Sequence, residues 1–166
     1  HDATSETLKQ IKALNLGWLM QNAYYFAAPS FVAKYAKSIT HSPPIGSAIA
    51  MGLKTGGGTD ASRVMSYNPF SALQWMLDGR TVNGLPTRKA AELPSREDAL
   101  RIWTQGSAWF AFAEKQRGTL APGYLADFAI LSDDYMTVPV RQIGNIQSVL
   151  TNVGGRIVHA SAPFFK

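Results

Sequence analysis

The sequence predicts an α/β fold, and three observations indicate it. Over residues 1–116, apolar segments of strand length alternate with segments whose apolar residues recur at helical spacing. Over residues 117–166, short β segments are separated by turns rich in glycine and proline. Hydrophobic residues make up 46% of the 166 residues, which is enough to form a buried core. We therefore predict two domains with a boundary after residue 116.

Caps, breakers and periodicity predict the first elements. A helix capped by Thr4 or Ser5 places Leu8, Ile11 and Leu14 on one face. Downstream we predict, in order, a buried strand over 17–21, a long irregular loop over 22–40, a short helix from Pro44 through Met51, and a strand over 53–59.

Two further helix starts are visible in the sequence. Asn68 followed by Pro69 is a cap-then-proline signal, and Ser95 with Asp98 resembles a capping box that has aspartate in place of glutamate. The second of these helices is predicted to run through Trp103. Around them we predict a polar loop over 78–94 and, because its residues are apolar nearly all round, a buried helix over 107–115.

Short β segments are predicted for the rest of the chain, after residue 116. We predict them over 118–120, 127–131, 146–153 and 156–159, with turns at Pro122-Gly123 and Gly154-Gly155. Because only two residues separate the last pair of segments, they are typical of a hairpin with a two-residue turn.

Composition narrows the class of protein. The net charge is +5, but the basic residues are scattered and form no run interleaved with aromatics, so we expect no nucleic-acid partner. No apolar stretch reaches the roughly 18 residues of a membrane span, so we expect no membrane insertion. The absence of cysteine excludes disulfides and thiolate metal ligands, but it does not decide the compartment.

Asp60 is the first candidate functional residue. It follows Lys54-Thr55-Gly56-Gly57-Gly58-Thr59, so it stands at the carboxyl end of a predicted strand, where α/β proteins place their catalytic and binding residues. The glycines allow another group to approach the backbone closely. They lack the spacing of phosphate-binding loops, so close packing is the preferred interpretation. Taken alone, an aspartate after a glycine-rich strand is more typical of a turn or a cap.

Four other polar residues are candidates for substrate contact, each with a structural alternative. Gln21 and Asn22 end the strand over 17–21, where side chains point at substrate or simply cap the backbone. His41 precedes Pro43-Pro44 in a loop and is either a substrate contact or a surface histidine. Arg63, three residues after Asp60, would neutralise an anionic substrate or remain solvated.

Five segments, spread over nearly the whole chain, carry a resemblance to a known family. They are Gly57-Gly58-Thr59-Asp60-Ala61, Tyr67-Asn68-Pro69-Phe70, Ala99-Leu100-Arg101-Ile102-Trp103-Thr104, Gly118 through Phe128, and Val153-Gly154-Gly155-Arg156-Ile157-Val158. Together and in this order they resemble amidohydrolase family 3, the metal-dependent hydrolases related to N-substituted formamide deformylase. The segment from Gly118 to Asp127 is the most specific to the superfamily, and the Gly-Thr-Asp and Asn-Pro segments point to the family.

This resemblance implies the C-terminal part of a (β/α)8 TIM barrel, about strands 6/7 to 8, together with strands of a small composite β-sandwich. Residues 1–116 would belong to the barrel and 117–166 to the sandwich. Because such a barrel needs about 250 residues, we expect its N-terminal part to come from the same polypeptide or from a partner chain. A homo-oligomer is left open.

The same resemblance implies the metal ligands. Asp60 matches the metal-binding aspartate of the last barrel strand, which in the family also handles the proton of the attacking water. His1 lies near the histidine ligand of strand 6, but its spacing to Leu8 is shorter than in relatives. His1 is therefore either that ligand or a residue just after it. A divalent metal is implied, with zinc preferred and other divalent ions also suited to such ligands.

The expected function is metal-dependent hydrolysis of a non-peptide C–N bond in an amide, N-formyl or cyclic amide substrate. Asp60 would be both metal ligand and general base, then acid, toward a metal-activated water. The alternative is a non-catalytic fragment that keeps the fold and acts only as a structural or interaction chain. One barrel serves many reactions, so fold analogy alone does not decide between them.

Overall fold

Two small sheets organise the part of the chain that the computed structural model describes, which is residues 3–21, 25–26, 30, 42–62 and 65–162. A parallel pair is formed by β1 (Gly17–Gln21) and β2 (Lys54–Gly58), with Gly17 opposite Lys54 and Gln21 opposite Gly58. Both strands were predicted, and the predicted second strand, over 53–59, is one residue longer at each end than β2. Because the two strands are parallel and in register, their carboxyl ends lie side by side.

The helix α1 (Ser5–Ala13) precedes β1 and is capped as predicted. The cap is Thr4, whose Oγ1 accepts a hydrogen bond of 3.1 Å from the Thr7 amide. Leu8 is the buried residue of this helix and packs with Ala48 and Leu53. The apolar face of α1 therefore anchors the helix beside the parallel pair.

The helix α2 (Ile45–Ala50) lies between the two strands, and its start is fixed by a distant carboxylate. Glu92 is buried and belongs to a single turn of 3-10 helix, Ala90–Glu92. Its two carboxylate oxygens accept hydrogen bonds from the Ser47 amide (2.9 Å) and the Ser47 hydroxyl (2.6 Å). A Cβ on Gly46 would lie 2.1 Å from the Ala91 carbonyl oxygen, so glycine permits this contact.

The helix α3 (Pro69–Asp78) contributes most to the core and begins at the predicted cap-then-proline signal. Asn68 Oδ1 accepts from the Phe70 amide at 2.9 Å, and Asn68 Nδ2 donates to the Gly144 carbonyl at 3.0 Å. Gly79 ends the helix in the left-handed region, with φ of 62°. Asn68 therefore holds both the start of α3 and the 3-10 segment Val140–Asn145.

Substituting Asn68 should separate these two roles. We expect Asn68→Ala to lower the free energy of unfolding by about 1–2 kcal/mol, because it removes a helix cap and a long-range hydrogen bond. Asn68→Asp keeps the cap acceptor and loses only the donor to Gly144, so its loss should be smaller. Urea unfolding followed by circular dichroism measures both. Equal losses in the two variants would contradict a role for the cap.

One continuous helical segment, called the helical rod below, begins after residue 95. It consists of α4 (Arg96–Arg101), a π-helical segment (Ile102–Gly106) and α5 (Ser107–Phe110). Ser95 caps it, since its Oγ accepts from the Asp98 amide at 3.1 Å, as predicted. The predicted helix over 107–115 is wrong beyond residue 110. Phe112 has φ of 53° and is 93% exposed, so the chain leaves the helix there instead of burying this apolar run.

The antiparallel sheet has the order β3 (Phe128–Leu131), β4 (Ser148–Val153) and β5 (Arg156–Ala160). The predicted two-residue turn is confirmed, because Gly154 and Gly155 both have positive φ, of 57° and 78°. Asp127 Oδ1 accepts from the Gly154 amide at 2.7 Å and so ties β3 to this turn.

The predicted β segment over 118–120 does not form. Gly118 has φ of 89°, which does not suit a strand. A Cβ on Gly118 would lie 2.9 Å from the Cβ of Ala108, so the chain at this residue packs directly against α5.

Core residues come from both sides of the predicted domain boundary. Trp75 and Met76 of α3 are completely buried in one cluster with Ile143 and Ile146 from the C-terminal segment. This shared core does not mark a boundary, and the predicted division into two domains after residue 116 stays a prediction. None of the helices in the described ranges is long and apolar enough to cross a bilayer.

Candidate functional site

The carboxyl ends of β1 and β2 bring two of the predicted site residues together. Gln21 is the last residue of β1 and lies opposite Gly58, the last residue of β2. Asp60 follows Gly58 by two residues. The other predicted site residues, namely His1, Asn22, His41 and Arg63, lie outside the residues that the structure describes.

The two faces of this parallel pair differ. Because side chains alternate along a strand, Trp18 and Met20 share one face, and Met20 is 2% exposed in the main core. Leu19 and Gln21 share the opposite face with Gly56 and Gly58, and Leu19 is 48% exposed. One face therefore belongs to the main core, whereas the face with Gln21 and Gly58 is covered at Gly56 by Phe110 and is open in part at Leu19.

Asp60 is exposed, and its backbone has a φ of 52°, in the left-handed region that aspartate tolerates better than most residues. The preceding residue shapes this turn, since Thr59 Oγ1 accepts a hydrogen bond of 3.2 Å from the Ala61 amide. Within the described residues, no hydrogen bond or ion pair engages the Asp60 carboxylate. Both of its oxygens are therefore available to a ligand.

The glycines before Asp60 allow a helix to pack directly on β2. A Cβ on Gly56 would lie 2.7 Å from the Phe110 ring, and one on Gly57 would lie 2.8 Å from Trp103 Nε1. From the helix side, a Cβ on Gly106 would lie 2.0 Å from the Thr55 carbonyl oxygen. The predicted close packing is therefore confirmed at Gly56 and Gly57.

Trp103 and Phe110, which pack against these glycines, are not among the residues predicted to shape the site. A signal for them was present, because the two aromatics are seven residues apart, which places them two turns apart on one side of a helix. Ser107 lies between them, and its hydroxyl donates to the Gly57 carbonyl at 3.2 Å. These three residues fix the strand that leads to Asp60.

A zinc ion in a protein usually takes three or four protein ligands. Among the described residues, no group of three or more histidine, cysteine, aspartate or glutamate side chains comes together. Asp60 by itself fits the role of one ligand, because its carboxylate is exposed after a strand end and no described residue binds it. Carboxylate oxygens suit zinc and other divalent ions.

A cavity of about 450 Å³ lies away from Asp60. It is bordered by the first residues of β2, Lys54 and Thr55, and by Arg101, Gln105 and Trp109 of the helical rod. It therefore adjoins the amino end of β2, whereas Asp60 follows the carboxyl end. This cavity is separate from the site around Asp60.

The chain matches the model of the amidohydrolase family (family 3) over residues 3–159. The amidohydrolase YtcJ of Bacillus subtilis (strain 168) is 32% identical over 114 residues, which cover 67% of this chain and 21% of that protein. The chain thus spans about a fifth of the length of this curated relative.

Two solved structures share its fold. An uncharacterized metal-dependent hydrolase from Pyrococcus furiosus has a TM-score of 0.65 and 24% identity, covering 82% of this chain and 28% of that one. One from Pyrococcus horikoshii OT3 has a TM-score of 0.70 and 20% identity, covering 85% and 29%. The match of the family model over most of the residues decides the assignment: the chain belongs to the amidohydrolase family.

Proposed function

We propose that this chain forms part of a metal-dependent hydrolase that cleaves a non-peptide C–N bond in an amide, N-formyl or cyclic amide substrate. The observation that carries the proposal is the position of Asp60, whose exposed carboxylate follows the carboxyl end of β2 and makes no hydrogen bond or ion pair with the described residues. In parallel α/β folds this is the edge at which catalytic residues are found. Family membership supports hydrolytic chemistry at that edge.

Asp60 has two roles in this proposal. The Asp60 carboxylate would help to hold a divalent ion, with zinc preferred, and it would also take a proton from the attacking water. The ion, when bound, supplies Lewis acidity that polarises the substrate carbonyl and acidifies water. Water adds to the carbonyl carbon, the C–N bond breaks, and Asp60 passes the proton to the leaving nitrogen.

Gln21 is proposed to orient the substrate. It ends β1 directly opposite Gly58, so its backbone lies on the strand next to the one that leads to Asp60. A side-chain amide offers both a donor and an acceptor to an amide substrate. It can therefore bind either end of the scissile group without adding charge to the site.

We also propose that β1 and β2 are strands 7 and 8 of an eight-stranded barrel. Parallel sheets are normally covered on both faces, whereas Leu19 on the Gln21 face is 48% exposed. The remaining strands would come from the N-terminal part of the same polypeptide or from a partner chain. The length of the relatives supports the first source, since the chain covers only 28–29% of the two Pyrococcus hydrolases.

The native gene product tests this proposal. Its intact mass and metal content should be measured on one sample, together with hydrolysis of N-formyl, open-chain and cyclic amides. We expect a longer chain with bound divalent metal, and hydrolysis that stops on chelation and returns when the metal is restored. A chain of this length without partner, metal or hydrolysis would favour the non-catalytic alternative instead.

A further inference from the structure

The helical rod is π-helical where it packs against β2. Its segment Ile102–Gly106 is a π-helix, and Ser107 is the first residue after it. A π-helix bonds each residue to the one five positions along, so it holds about one residue more per turn than an α-helix and shifts the direction of every side chain after it. Such segments are rare and are frequently found at functional sites. The π segment therefore decides which way Ser107 points.

Ser107 points at the strand that leads to Asp60. Its Oγ lies 3.2 Å from the Gly57 carbonyl oxygen and 3.3 Å from the carbonyl oxygen of Ile102 in the rod. Because a hydroxyl has a single proton to donate, the rod and β2 share this donor. The bond to Gly57 spans 50 residues of sequence and so joins two distant elements.

Contacts on both sides of Ser107 hold the rod against β2. A Cβ on Gly106 would lie 2.0 Å from the Thr55 carbonyl oxygen, and a Cβ on Gly57 would lie 2.8 Å from Trp103 Nε1. Apolar packing has no preferred direction, whereas a hydrogen bond depends on its angle. The packing therefore sets how near the rod lies to β2, and the Ser107 hydroxyl adds a restraint on the direction of the Gly57 carbonyl.

This restraint acts on a strand end made of glycine. Residues 56–58 are all glycine, and glycine has more backbone freedom than any other residue. Asp60 is exposed, and within the described residues no hydrogen bond or ion pair holds its carboxylate. The place of that carboxylate therefore depends on the backbone that leads to it, and Gly57 lies three residues upstream.

We propose that Ser107 is a positioning residue for the proposed hydrolysis, whose hydroxyl orients the Gly57 carbonyl and so aligns the turn that carries Asp60. The inference rests on the proposed function and adds to it a residue of the helical rod. Ser107 acts through β2 and needs no contact with substrate. Because a misplacement of about 1 Å can lower a rate by about 10²-fold, the loss of one directional bond is expected to show in the turnover number.

Steady-state kinetics of amide hydrolysis by the native polypeptide and its Ser107→Ala variant test the inference. We expect Ser107→Ala to lower kcat by about tenfold and to change KM by less than about threefold, because the bond aligns Asp60 for reaction and not for substrate binding. Ser107→Thr keeps the hydroxyl, so its kcat should stay within about threefold of the native value.

Thr104→Val is the matched control for the rod itself. Thr104 belongs to the same π segment, and its hydroxyl donates within the rod, to the Leu100 carbonyl at 2.9 Å. This variant should keep the native kcat, even where its melting temperature falls as far as that of Ser107→Ala. Native kcat in Ser107→Ala, or an equal fall of kcat in Ser107→Thr or Thr104→Val, would overturn the inference.

Amide hydrogen exchange gives a readout that needs neither metal nor substrate. In the metal-free protein, amides over 54–60 should exchange several-fold faster in Ser107→Ala than in the native polypeptide, whereas those of α1 should keep their native rates. Unchanged exchange over 54–60 would also overturn the inference. Failure of the proposed function is recognised separately, because the native polypeptide would then hydrolyse none of the amides, and the positioning role would fall with it.

Discussion

Asp60→Asn is expected to lower the turnover number of amide hydrolysis by at least about 10²-fold, which is the scale of losing a general base. Asparagine has nearly the same size and keeps one oxygen, but its amide does not accept the proton of water at neutral pH. Because Asp60 is exposed and makes no hydrogen bond or ion pair with the described residues, the fold should survive the change.

Steady-state kinetics and metal content, measured on the same samples, would separate the two proposed roles of Asp60. A fall in turnover with full metal occupancy indicates loss of the base, whereas a fall in both indicates loss of a ligand. Asp133→Asn is the control, because Asp133 is an exposed aspartate in the turn after β3, where it accepts a hydrogen bond of 2.8 Å from Ser132. Native turnover in Asp60→Asn would show that the site is misplaced.

The parts of the fold that the sequence predicts well are those fixed by near neighbours. Thr4, Asn68 and Ser95 all cap helices as expected, since each accepts a hydrogen bond from an amide two or three residues away. The same holds for the turn at Gly154-Gly155, where both residues have positive φ. Such features need only the local chemistry of a few residues.

Contacts between distant residues were not predictable in this way. Glu92 fixes the start of α2 through Ser47, which is 45 residues away in the sequence. The end of the helical rod also differs from the prediction. The apolar run from residue 107 favours a helix through residue 115, but the helix ends at Phe110, which packs against β2, and Phe112 has a positive φ.

In the candidate site, too, features fixed by near neighbours were predictable and contacts between distant residues were not. The position of Asp60 just after a strand was predictable because a glycine-rich segment leads directly into it, whereas its role stays a proposal. The pairing of Gln21 with Gly58 agrees with the predicted place of Gln21 at a strand end. The different surroundings of the three adjacent glycines were not predictable, because glycines look alike in sequence. Only the positions of Phe110 and Trp103 distinguish them.

Trp75→Ala is expected to lower the free energy of unfolding by about 3–5 kcal/mol, the range for removing a large aromatic residue from a core. Trp75 is completely buried and packs in the cluster that α3 shares with the C-terminal segment. Its ring also supports Arg88, whose guanidinium carbon lies 4.1 Å from the ring centroid. The substitution therefore opens a cavity beneath a buried charge.

Arg88 makes this cavity more costly. Its guanidinium donates to the backbone carbonyls of Trp75 and Met76 at the end of α3. Burial lowers the pKa of Arg88, and the nearby Asp78 and Glu92 carboxylates counteract that shift. Loss of the indole ring would remove the aromatic face on which the cation lies.

Urea unfolding of the native polypeptide and the Trp75→Ala variant measures the loss. Tyr67→Ala is the matched control, since Tyr67 is an aromatic residue that is 83% exposed just before α3. That control should change the free energy of unfolding by no more than about 0.5 kcal/mol. A loss below about 1 kcal/mol in Trp75→Ala would mean that the core formed by α3 and residues 140–146 does not hold the two segments together.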